Sequence, residues 1–192
     1  AVIPDYSKEK LLIDADIKGP GKAVGPYFDE TPLKDSLGAT LQELQLDGDV
    51  NARLHLDIPL NGELVTAKGE VTLRNNSLFI KPLDSTLKNL SGKFSFINGD
   101  LQSEPLTASW FNQPLNVDFS TKEGAKAYQV AVNLNGNWQP AKTGVLPEAV
   151  NEALSGSVAW DGKVGIDLPY HAGATYNIEL NGDLKNVSSH LP

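Results

Sequence analysis

Leu44-Gln-Leu-Asp-Gly-Asp-Val-Asn-Ala-Arg-Leu-His-Leu-Asp-Ile-Pro-Leu60 keeps strict two-residue time. Its even positions read Leu44, Leu46, Gly48, Val50, Ala52, Leu54, Leu56, Ile58 and Leu60. Its odd positions read Gln45, Asp47, Asp49, Asn51, Arg53, His55, Asp57 and Pro59. Side chains alternate faces along a strand, so this is one long antiparallel strand with an apolar and a wet face. Leu11, Ile13, Ala15 and Ile17 repeat the pattern upstream.

A two-residue turn makes residue i face i+3, so the apolar parity flips across it. Before Asn61-Gly62 the apolar positions are even; after it Val65, Ala67, Gly69, Val71 and Leu73 are odd. Asn61-Gly62 therefore reads as a type I′ hairpin turn. The parity flips back across Asn75-Asn76 to Leu78 and Ile80. It flips again at Asn98-Gly99, where Phe94 and Phe96 give way to Leu101. The same phrase, apolar–polar–Gly–polar–apolar, keeps its parity elsewhere. Gly92, Gly136 and Gly156 stay in step with their strands, on the apolar face, where glycine marks a bend or a close approach. Asp161-Gly162-Lys163 also keeps parity from Trp160 to Val164, which predicts a three-residue hairpin loop. Gly182 is ambiguous. No helix N-terminus follows these phrases, so none reads as a phosphate cradle.

Two short helices are expected. Thr31 caps the first, Pro32 suits its first turn, and Leu33, Leu37, Leu41 and Leu44 form its stripe, which Gly38 weakens. Pro147 opens the second, with Val150 and Leu154 on one face. Gly19–Pro26 reads as a loop. Lys122–Lys126 reads as a turn joining Asn116–Ser120 to Tyr128–Trp138.

These elements predict a mainly β chain, a long antiparallel meander whose broad apolar face two short helices cannot cover. The sheet must fold on itself, curl into a trough for an apolar ligand, or stack on further β units. Glycines on the apolar face favour curvature, hence a barrel or a groove, a taco-like sheet. Periodicity does not choose between them.

Composition narrows the function. The 192 residues carry a net charge of −8, against the basic surface that nucleic acid or anionic headgroups favour. No Cys and no Met are present, which removes disulfides and thiol ligands and suggests that Ala1 is a processing or cloning boundary within a longer protein. No apolar run approaches the roughly 20 residues of a membrane span, and no signal peptide opens the chain. Any anchor is expected outside the segment. His55, His171 and His190 have no ligand spacing, so a zinc site would need distant residues. Asp47-Gly-Asp49 lacks the further ligands and closing Glu of a calcium loop. No nucleophile elbow occurs and no carboxylate pair stands out as a glycosidase pair. Trp110, Trp138 and Trp160 suit the core or the lining of a trough better than a sugar platform. Asn75, Asn89 and Asn186 open Asn-x-Ser triplets that matter only in a eukaryotic secretory pathway. No catalytic residue, metal or cofactor is expected, and the chain reads as a non-enzyme.

The run from Thr31-Pro-Leu33 through Leu44–Leu60 resembles the AsmA-like family of large Gram-negative envelope proteins. So do Leu90-Ser-Gly-Lys-Phe-Ser-Phe-Ile-Asn-Gly-Asp-Leu101 and Leu154-Ser-Gly-Ser-Val-Ala-Trp-Asp-Gly-Lys-Val-Gly-Ile-Asp-Leu-Pro169. The resemblance spans roughly Leu11 to Leu184, and the order of the phrases carries it. It implies an inner-membrane-anchored protein with a periplasmic β rod whose hydrophobic groove carries phospholipid between the two membranes. Residues 1–192 would be a single internal segment of that rod, with sub-units 1–89 and 90–192. Its partners would be phospholipid acyl chains and the flanking segments of the same chain, without nucleic acid, and with membrane contact only through parts outside the segment. The groove candidates are Leu54, Leu56, Ile58, Val71, Leu73, Phe94, Phe96, Val130, Val132, Leu134, Val158 and Trp160. Two other readings stand beside it: a structural or protein-binding β module using strand edges, and a carbohydrate-binding or hydrolysing β domain.

Overall fold

The computed structural model describes residues 10–23 and 43–190. The helix expected over Thr31–Leu41 lies outside the described residues, and Leu44, the end of its stripe, already belongs to a strand. Thirteen strands occur among the described residues: β1 (Lys10–Pro20), β2 (Leu44–Asp47), β3 (Asp49–Pro59), β4 (Thr66–Ile80), β5 (Ser85–Ile97), β6 (Asp100–Ser103), β7 (Leu106–Trp110), β8 (Gln113–Glu123), β9 (Ala127–Trp138), β10 (Leu154–Gly156), β11 (Val158–Pro169), β12 (Thr175–Asp183) and β13 (Val187–Ser189). The one α-helix described, α1, is Glu148–Ala153. Pro147 precedes it as expected, but Leu154 has left the helix for β10.

Eleven strands form one antiparallel sheet along the path β1-β3-β4-β5-β6-β8-β9-β11-β12. β2 joins β4 beside β3, and β7 sits between β5 and β8 beside β6. The sheet is not a closed barrel: among the described residues β1 pairs only with β3, and β12 only with β11. β10 and β13 make a separate two-stranded ribbon.

The long strand Leu44–Leu60 is interrupted at Gly48, where φ is +92°. Opposite it, β4 runs through Asn75-Asn76 without turning. The parity flip there is a β-bulge, marked by register shifts between Leu73 and Leu78 and by φ +55° at Asn75. Asn76 is fully buried and replaces the missing ladder. Its Nδ2 donates to the carbonyls of Asp47 (3.0 Å) and Asp49 (3.1 Å), and its Oδ1 accepts the Arg74 N–H at 2.8 Å. A Cβ on Gly48 would stand 2.8 Å from that Nδ2, so kink and bulge need each other. β6 and β7 likewise make one broken strand, parted at Glu104-Pro105, where proline can give the ladder no N–H.

Three turn readings meet different outcomes. Asn98-Gly99 is a two-residue turn, with Ile97 paired to Asp100. At Asn61-Gly62 the β3–β4 register is that of a two-residue turn, but the ladder stops at Asp57–Thr66. Gly62 takes φ +87° while Asn61 keeps a negative φ, so the turn is not type I′. Asp161-Gly162-Lys163 is no loop. It lies inside β11, paired to β9 on one side and β12 on the other. Unchanged parity fits a strand interior as well as a three-residue loop, and Gly162 is buried there beneath Trp160 and Leu180. Gly19 and Pro20, expected in a loop, end β1.

The main core gathers Val50, Leu73, Leu87, Leu90, Leu106, Ala108, Leu115 and Val117 where the bulges bend the sheet. Leu87 and Leu90 are both buried because Asn89, at φ +55°, resets the phase between them. A second cluster centres on Tyr128 and Val130.

Candidate functional site

The register builds apolar rows across the whole sheet. One runs Ala15–Leu54–Gly69–Phe96–Leu101, crosses to Thr121, and continues Val130–Ile166–Tyr176. The next runs Ile17–Ala52–Val71–Phe94–Ser103, then Phe119–Val132–Val164–Ile178. The β6–β8 crossing is one ladder pair, Gln102–Ser120, reinforced by side chains. Thr121 Oγ1 accepts the Leu101 N–H at 2.8 Å, and Ser103 Oγ accepts the Phe119 N–H at 2.8 Å. Directly paired residues share a face. The opposite face is polar: Asp14 with His55 (2.7 Å), Arg53 with Asp16 (3.5 Å), Lys93 with Glu70 (2.9 Å) and Asn133 with Asp118 (2.7 Å). These exposed pairs keep that face wet and add little stability each.

All twelve candidates named from the sequence lie on the apolar face. Val71, Leu73, Phe94, Val132, Leu134 and Trp160 belong to or pack on the main core, and Val130 belongs to the second cluster. Phe94 meets Phe119 at 5.6 Å between ring centroids, across the small Ser103. Leu54, Leu56, Ile58 and Phe96 are half-buried and belong to neither cluster. Val158 lines a cavity at one end of the sheet. The twelve are thus a face rather than a single site.

That cavity, about 560 Å³, lies where β9 ends and β11 begins. Val158, Trp160 and Gly182 give it a floor, and Pro140, Thr143, Val145 and Leu146 cover it. Trp138 and Trp160 pack edge to face, with centroids 4.6 Å apart. Both indoles reach over Gly136, where a Cβ would fall 2.8 Å from Trp138 Nε1 and 3.0 Å from Trp160 Nε1. Trp138 Nε1 donates to the Pro114 carbonyl at 2.6 Å, and Trp110 Nε1 to Ser85 Oγ at 2.7 Å.

Sequence reasoning missed Phe111. It lies in a two-residue turn, with Trp110 paired to Gln113, and both turn residues are left-handed: φ is +48° at Phe111 and +59° at Asn112. A non-glycine residue there costs about 1–2 kcal/mol. The ring stacks on Trp110 at 4.9 Å and lines the cavity. No glycine marks the turn, but parity does: Leu106 and Ala108 are even, Leu115 and Val117 odd.

At the other end of β9, Tyr128 is fully buried. Its hydroxyl donates to the Gly99 carbonyl at 2.7 Å and lies 2.8 Å from Thr121 Oγ1. Burial pushes its pKa up to about 12. Nearby, burial pulls the Asp100 carboxyl upward, but its ion pair with Lys122 and the Glu123 N–H (2.6 Å) outweigh that and hold it below the ordinary value. The histidines are scattered: His55 pairs with Asp14, while His171 and His190 are exposed. Among the described residues no cluster of three or more His, Asp or Glu could hold a metal, and no helix is long and apolar enough to cross a membrane.

One polar face, one apolar face and open ends define a class of extended amphipathic β-sheet protein. No solved structure matches the chain. The family model described as YhdP protein matches residues 1–192. The chain belongs to that family, and so to the AsmA-like envelope proteins.

Proposed function

We propose that the chain is a segment of a bridge-like lipid transport protein, anchored in the inner membrane outside this segment, whose apolar face carries phospholipid across the periplasm. The observation that carries the reading is the rows across nine strands, apolar but for Ser103 and Thr121 at the β6–β8 crossing, on a face far wider than the one six-residue helix among the described residues can cover. Acyl chains lie along the rows, each buried CH₂ contributing about 0.8 kcal/mol. Headgroups stay at the wet rim. No step requires a catalyst or cofactor, because sliding along apolar surface makes and breaks no bond. The test is photo-crosslinking of lipid from Leu54 and Phe96 in the full chain, with Leu56→Asp as the interrupting variant. One inward carboxylate costs several kcal/mol to desolvate, so lipid passage should fall steeply. Unchanged crosslinking in folded Leu56→Asp protein sinks the reading.

A second reading, a β module of the envelope that pairs through strand edges, draws support from β12. All nine of its residues are exposed, Ile178 and Leu180 among them. It predicts lipid-free protein and an assembly that depends on β12.

A further inference from the structure

The aromatic cavity contains all three tryptophans of the chain, Trp110, Trp138 and Trp160. It offers a ligand almost nothing to hydrogen-bond. The Trp110 and Trp138 N–H groups are committed to Ser85 and Pro114. Trp160 Nε1 has no hydrogen-bond partner, but it is buried over Gly136 and out of reach of solvent. Thr143 Oγ1 donates to the Pro140 carbonyl at 2.7 Å, and Asn181 Nδ2 to Asp161 at 3.0 Å. A sugar or nucleoside would lose its water and find no partner here, whereas a hydrocarbon gives up nothing.

Phe111 adds an independent observation. Its backbone holds a conformation that glycine or asparagine adopts freely, yet the position carries a large ring, 38% exposed, at the cavity. Backbone strain of this kind clusters at binding sites, where the surroundings maintain it. The floor is also continuous with the apolar rows, through Leu134–Gly162–Leu180 and Gly136–Trp160–Gly182.

We infer that this cavity is a holding site for the methyl end of one hydrocarbon chain, with Phe111 as its outer wall. The inference rests on the lipid-conduit reading and adds to it a place where a chain stops. With no polar anchor in the lining, the headgroup stays outside, and the chain enters along the row that passes Leu134.

Because all three tryptophans of these 192 residues line the cavity, their tryptophan fluorescence reports on it. The 192-residue chain is titrated with stearic acid brominated near its methyl end, bromine quenching indole on contact. Saturable quenching is expected, and weaker quenching from stearic acid brominated beside the carboxyl. Phe111→Gly relieves the backbone while removing the ring, and should raise the half-saturation concentration about tenfold, a loss of one well-packed aromatic wall. Phe111→Asn, also at ease in that backbone region, should do the same. Absent or non-saturable quenching, or wild-type affinity in both folded variants, overturns the holding site. Crosslinking from Leu54 is read separately in the same protein. Lipid captured there alongside failed quenching overturns the holding site and leaves the conduit standing.

Discussion

Tyr128 and Trp138 stand at opposite ends of β9, on the same face, in opposite surroundings. Tyr128 is sealed: its hydroxyl is engaged by the Asn98-Gly99 turn and Thr121, and nothing of it reaches solvent. Trp138 spends its N–H on Pro114 and turns its ring to a cavity shared with Trp110, Phe111 and Trp160. The difference teaches how one amphipathic sheet manages two ends. A saturated polar knot closes one, while the other is left apolar around an open cavity.

The comparison breaks most severely with Tyr128→Ala. Loss of a fully buried aromatic ring should cost roughly 4 kcal/mol, seen as a lower urea midpoint. Trp138→Ala, beside space already empty, should cost less. Tyr128→Phe sharpens the point through pH. The folded pKa, about 12, lies above the ordinary 10.0, so the tyrosine's contribution is intact below pH 10 and lost as pH rises through 12. Between those limits wild type should lose roughly 2–3 kcal/mol more than Tyr128→Phe, by denaturant titration at each pH. A parallel pH profile for the two proteins would remove the polar knot from the account. The smallest effect is that of Phe111→Gly: about 1–2 kcal/mol of relieved strain is offset by about 0.5–1.5 kcal/mol of lost stacking on Trp110, so the melting temperature should stay close to that of wild type.

Much of this was legible along the chain. Period two gave the strands their faces, and all twelve candidates fall on the face assigned to them. Parity located the turns at Gly62 and Asn98-Gly99, because an even loop must exchange the faces. Parity failed where two geometries share one phase. Gly162 sits mid-strand because its flanking residues pair on both sides, and sequence contains no record of those partners. Asn75-Asn76 flips parity by a bulge, since the fully buried Asn76 amide can serve the backbone gap at Gly48 only when β2, β3 and β4 are already side by side.

The sequence by itself determined the class of fold and the two unlike faces, because these follow from local alternation and residue type. Tertiary structure alone determined which end of the sheet is sealed and which is open. Trp110, Trp138 and Trp160 are far apart along the chain, and they share a cavity only through the register of β9 on β11 and the left-handed turn at Phe111. Register is a sum over long-range pairings, and no local window of sequence contains it.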